Sequence, residues 1–237
     1  MELIYCAAGN SRFAKIALDA GYSYGAQLPG TVYFPLSFAD QNWKKPDKEA
    51  YMLALSQHQP RMASVLDWER HEQLPEVLGW AEEAAAFTDS VMLIPKVPGG
   101  VDRLPRIIGG KPIRLGFSVP TRHGGTTVWA GEFHGWPVHL LGGSPQAQMK
   151  WYSRLSGVVS ADGNYHQKMA TRYCQFWQPG TATYAHNRWW PTLLEADGKK
   201  WGDGTSQADA PYEAFRRSCE AVVDAWKIVW GEAGVRP

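Results

Sequence analysis

Residues 138–164 carry two short apolar runs separated by a glycine turn and a helical stretch, an order that commits the chain to parallel strands. Val138-His139-Leu140-Leu141 runs into Gly142-Gly143-Ser144-Pro145, and the chain returns with Gly157-Val158-Val159-Ser160-Ala161-Asp162-Gly163-Asn164. A helix between two strands carries the chain back to its starting end, so the second strand runs alongside the first in the same direction. Ser144 followed by Pro145 is a helix start, a hydroxyl cap with proline in the first turn, and the helix is expected to reach about Leu155. Asp162 then stands where the second strand runs out, the end at which α/β barrels place their chemistry.

The same alternation runs upstream. Apolar stretches at residues 3–7, 31–36, 62–66, 90–95 and 113–119 predict strands, and residues 11–19, 46–58 and 72–87 have helical spacing. Leu74, Leu78 and the alanines at 81, 84 and 85 form the stripe of the clearest helix. Six or seven strands alternating with helices in 237 residues predict a compact (β/α)8 TIM-type barrel, an α/β fold usually built from roughly 250 residues. One α/β-barrel domain is expected over residues 1–237, its barrel core over about 1–176. Beyond 176 a Trp-rich region, broken by Pro179-Gly180, Asn187 and Pro191, lacks periodicity. Residues 210–229 place Ala214, Phe215, Cys219, Val222, Val223 and Trp226 at helical spacing, predicting a helix that closes the outer ring.

Composition narrows the function classes. With 24 Lys+Arg against 23 Asp+Glu the formal charge is +1, so any nucleic-acid-binding face must be local. Three well-separated cysteines argue against a disulfide scaffold or a CxxC zinc site and for a reducing, cytoplasmic setting. No run approaches the ~20 apolar residues of a membrane span, and residues 1–6 lack the pattern of a signal peptide. The histidines show no metal-ligand spacing. His139, on an apolar strand, reads as hydrogen-bonded core, and neither metal nor cofactor is expected.

Charged groups follow several of the predicted strands: Asp40, Asp67 with Glu69, Lys96 and Asp162. Parallel barrel strands present all their C-terminal ends at one rim, so these groups should converge there.

These residues carry a resemblance. The order Leu140-Leu141-Gly142-Gly143-Ser144-Pro145, helix, Gly157-Val158-Val159-Ser160-Ala161-Asp162 resembles the segment of tRNA-guanine transglycosylases in which a Leu-Met-Gly-x-Gly-x-Pro turn precedes the strand bearing the nucleophilic aspartate. Ser64-Val65-Leu66-Asp67 is similar to that family's strand ending in a base-recognising aspartate. Leu93-Ile94-Pro95-Lys96 lies where the family leads to a base-contacting glutamine, and Arg114-Leu115-Gly116-Phe117-Ser118 resembles the glycine strand whose backbone meets the base. Ser37-Phe38-Ala39-Asp40 matches an aspartate that precedes a Ser-Gly-Gly turn, although Gln41 and Asn42 follow here. Lys96 replaces the glutamine, and the zinc-binding cysteine cluster of the tRNA enzymes is missing. A compact chain of this kind is most similar to the phage-type branch that exchanges guanine in DNA for a 7-deazaguanine.

The resemblance implies a base-exchanging pentosyltransferase. Asp162 is the expected nucleophile, forming a covalent glycosyl intermediate that the incoming deazapurine captures, and Asp40 is the expected proton shuttle. Hydrogen bonds from the Gly163 and Asn164 amides are expected to keep Asp162 ionised. Asp67, Lys96, Gly116, Leu141 and Gly142 are assigned to base binding, Asn164 to the sugar or a phosphate, and Trp43 or Trp68 to stacking. The target base must be flipped or single-stranded. Arg122, His123, Lys168, Arg172 and Arg188, the last beside Trp189 and Trp190, are candidates for the nucleic-acid backbone. The partners expected are DNA and a 7-deazaguanine, in the cytoplasm of a host cell if the gene is phage-borne. Two alternatives stay open: a hydrolase pairing Asp67 or Glu69 with Asp162, and an inactive barrel that binds nucleic acid.

Overall fold

The computed structural model describes residues 1–7, 10–121, 124–179, 186–189 and 209–233. Nine strands, β1 (Glu2–Cys6), β2 (Ser23–Leu28), β3 (Phe38–Gln41), β4 (Met62–Trp68), β5 (Ser90–Pro95), β6 (Ile107–Ile108), β7 (Lys111–Ser118), β8 (Val138–Leu141) and β9 (Val158–Asp162), share one sheet. All but β6 are parallel. They close into an eight-stranded barrel because β5 pairs across to β7 and β9 returns to β1, while β6 forms only a short hairpin with β7. Around the barrel lie α1 (Ser11–Asp19), α2 (Lys48–His58), α3 (Leu74–Ala84), α4 (Pro145–Tyr152), α5 (Tyr165–Tyr173) and α6 (Ala210–Ala233). A ladder of β10 (Gln175–Gln178) and β11 (His186–Trp189) precedes α6. The expected TIM-type α/β barrel is therefore the fold.

Side-chain caps start α1, α2 and α4, with Asn10 capping α1 where the sequence points to Ser11. Asn10 accepts from the Phe13 amide at 3.1 Å, Asp47 from Ala50 at 3.0 Å and Ser144 from Ala147 at 3.3 Å, each satisfying an amide that the first turn leaves unpaired. The main core lies between strands and helices. A smaller one fills the barrel itself, where Ile4, Phe38, Met62, Met92 and Ile94 meet, with Cys6 and Leu141 against them. The C-terminal helix buries Ala214, Phe215, Cys219, Val222 and Trp226, closing the outer ring as expected. No helix among the described residues is long and apolar enough to cross a membrane.

Two strands flank the single one expected. Residues 31–36 form a loop, β3 follows it at Phe38, and β2 lies eight residues before it. Gly25 hid β2: a Cβ there would sit 3.0 Å from Ile4 Cγ2 and 3.3 Å from Phe38 Cδ1, so close packing inside the barrel demands the residue that weakens a strand signal. Pro35 in turn suits the loop. Asp40 consequently lies within β3 itself, and the helix expected from residue 72 opens with a separate 3-10 turn at His71–Gln73.

Candidate active site

Alternation along the strands decides which side chains enter the barrel. Cys6 follows Ile4 on β1, Asp40 follows Phe38 on β3, Leu141 follows His139 on β8, and Asp162 follows Ser160 on β9. On β4 the register shifts between Ser64 and Asp67, a bulge that turns Asp67 instead of Leu66 toward the same mouth. The C-terminal rim thus gathers Asp162, Asp40, Asp67 and Lys96, as the sequence analysis anticipated.

Asp162 is held at one oxygen. Its Oδ1 accepts from the Gly142 backbone N–H at 3.1 Å and lies 3.1 Å from His139 Nε2, while Oδ2 has no hydrogen-bond partner among the described residues. The side chain is only 11% exposed, so these contacts face little competition from water. Gln148 of α4 fixes the two strand ends together by donating to the carbonyls of Gly142 at 2.8 Å and of Asp162 at 2.6 Å. The expected donors, Gly163 and Asn164, do not serve. The Gly163 amide continues the barrel ladder to Ile4 O at 3.3 Å, and Asn164 is already the residue from which α5 starts.

Asp40 sits in a different environment. Burial and the nearby charge of Asp162 raise its carboxyl to about 7, against the opposing hydrogen bond from Ser64 Oγ at 2.8 Å. Ser64 itself accepts from the Gln41 amide at 2.9 Å, which aims its hydroxyl hydrogen at Asp40. Burial pushes the Cys6 thiol well up, helped by the charges of Asp162 and Asp40, so it stands in this mouth as a neutral thiol. Asp67 forms an ion pair with Lys96, whose ammonium is also 3.6 Å from Glu69. Burial raises the Asp67 carboxyl, and Lys96 opposes the rise. Glu69 shares the Asp67 side because β4 continues to Trp68, and it is much more exposed.

The remaining candidates divide. A Cβ on Gly116 would meet Leu141 Cδ1 at 2.6 Å and Ile94 Cγ1 at 2.9 Å, so its lack of a side chain makes room for these two. Trp68 is fully buried with Nε1 bonded to Arg70 O, which makes it a packing residue, whereas Trp43 is 59% exposed with Lys44 over its ring. An open groove runs from Gly142 and Ser144 past Asn164 to Lys168, Arg172 and Tyr173. Lys168 and Arg172, one turn apart on α5, line it together without an ion-pair partner among the described residues. Thr121 borders the same groove, while Arg122 and His123 lie outside the described residues, as does Trp190. Arg188 is on β11 opposite Phe176, with its side chain outside the described part. Among the described residues no group of three or more His, Cys, Asp and Glu is placed to hold a metal ion.

Ser64, Gln148, Ser160 and the link from His139 to Asp162 escaped the sequence reading. Period two was the available signal for Ser160, two positions before Asp162, and for His139, two before Leu141; Gln148 is on a helix and Ser64 precedes the β4 bulge.

The fold and this cluster define an α/β barrel protein with a carboxylate site at the C-terminal mouth. Residues 18–227 match the family of unknown function DUF6610, and the chain belongs to that family. No curated protein matches the chain.

Proposed function

We propose that this barrel is a base-exchanging transglycosylase that replaces guanine in DNA with a 7-deazaguanine. The observation that carries the reading is the pair of carboxylates in opposed environments. Asp162 accepts the Gly142 N–H and lies against His139 Nε2 at one oxygen, and Asp40 beside it keeps its proton up to about pH 7. A base exchange needs both states at once.

In this mechanism Asp162 Oδ2 bonds to the anomeric carbon as the C1′–N9 bond breaks. The electron pair leaves with guanine, which takes the Asp40 proton. The incoming deazaguanine then returns its N9 proton to Asp40 while its nitrogen attacks the same carbon, and the bonding pair of the aspartyl ester goes back to Asp162. Asp67 and Lys96 supply an acceptor and a donor side by side, which suits the N–H groups and carbonyl of a guanine edge. Lys168 and Arg172 offer positive charge to phosphates next to the reacting sugar. On this reading the protein acts in the cytoplasm, on a flipped or single-stranded nucleotide of host or phage DNA.

The test is incubation of guanine-labelled DNA with a 7-deazaguanine, followed by mass spectrometry of the nucleosides. Incorporation that disappears in Asp162→Ala, while DNA binding survives, supports the proposal. Release of guanine without incorporation would make the protein a hydrolase, and incorporation into RNA alone would move it to another substrate.

A further inference from the structure

A line of polar side chains crosses the barrel interior. Arg114 Nη1 donates to Ser160 Oγ at 2.9 Å, Ser160 Oγ lies 2.7 Å from His139 Nδ1, and His139 Nε2 lies 3.1 Å from Asp162 Oδ1. His139 and Ser160 are both fully buried, so water does not compete for these bonds. The direction of the line follows from valence. A guanidinium only donates, so Ser160 accepts from Arg114, and its single hydroxyl hydrogen has no acceptor among its partners other than His139 Nδ1. With Nδ1 accepting, the ring proton is on Nε2 and points at Asp162. An imidazolium, or the Nδ1–H tautomer, would aim N–H at Ser160 and strand its hydroxyl hydrogen in a buried site without an acceptor.

We infer that His139 is a positioning residue locked as its Nε2–H tautomer by Arg114 and Ser160, and that it fixes Asp162 so that Oδ2 is the attacking oxygen. With Gly142 also on Oδ1, only Oδ2 is left to bond to carbon. The role in attack rests on the transglycosylase reading; the tautomer does not. The titratable and charged groups around the pair are Arg114 of β7, Asp162 of β9, Cys6 of β1 and Asp40 of β3.

Nitrogen NMR of protein labelled in its histidine rings tests the tautomer, with the His139 signals assigned by their loss in His139→Gln. The expected pattern is a protonated Nε2 and a bare Nδ1, shifting toward a tautomer mixture in Ser160→Ala and recovering in Ser160→Thr. A protonated Nδ1 in the wild type, or no change in Ser160→Ala, overturns it. For positioning, His139→Gln retains a donor at the Nε2 position and should exchange base within about tenfold of wild type. His139→Asn lacks that reach and should lose about 10–100-fold in kcat, as for outer-shell partners of catalytic groups, with KM for the free base unchanged. Equal activity of the Asn and Gln variants refutes the positioning role. A wild type with the expected NMR pattern but no exchange of any base refutes the transglycosylase reading and with it the role in attack, leaving the hydrogen-bond line standing.

Discussion

Burial and the charge of Asp162 hold a proton on Asp40 that an unfolded chain would release, and this has opposite consequences for stability and for activity. Because the folded pKa of about 7 exceeds the ordinary 3.8, the folded state binds the extra proton, and its stability falls as pH rises between those values. Asp40→Asn should therefore match wild type near pH 4 and exceed it at pH 8 by on the order of 3 kcal/mol in denaturant unfolding. The same variant should lose base exchange. Wild-type kcat/KM should decline above about pH 7 as the proton leaves. Asp40, Asp67, Lys96 and Asp162 could be found in the sequence because charged groups at strand ends are conspicuous. The partners of His139, Ser64 and Ser160 could not, since a lone polar residue inside a strand does not announce which neighbour it faces.

Secondary structure elements bring these groups into register, and the turn between β8 and α4 does most of that work. Gly142 and Gly143 take φ values of +62° and +81°, and a Cβ on Gly143 would come 2.8 Å from Val119 Cγ1. Gln148→Leu should cost about 1–3 kcal/mol by leaving the Gly142 and Asp162 carbonyls without their donor. Base exchange should fall further than stability does, which parallel urea melts and single-turnover rates would separate. On α5, His166 stacks on Phe215 of α6 and burial lowers its pKa to about 4. The unfolded chain binds the proton first, so stability is lost as pH falls from about 6.5 toward about 4. His166→Gln should flatten that part of the stability curve. Strands with uninterrupted apolar runs, such as β5, were plain from the residues. The β2 strand was not, because Gly25 and Gln27 serve tertiary neighbours instead of local propensity.

The chain is near neutral overall, so attraction of a polyanion falls to local groups, of which Lys168 and Arg172 line one groove together. Replacing both Lys168 and Arg172 with Ala should weaken single-stranded DNA binding and make the slope of log affinity against log salt shallower by about 1.4. Binding of the free base, followed by calorimetry, should stay unchanged. Alternation of strand and helix was enough to expect a parallel barrel, but its closure was not visible. The number of strands is set by the pairing of β9 with β1, a contact between segments some 150 residues apart that leaves no local pattern.

That seam has a consequence for biosynthesis. Asp162 lies in register with Ile4, and the next amide bonds to the same residue, so the reactive carboxylate is seated only when the last barrel strand zips onto the first. A nascent polypeptide that has not yet reached β9 has one of these edges and not the other. Under the proposed reaction, a half-made copy would be unable to cut bases from its host's nucleic acid.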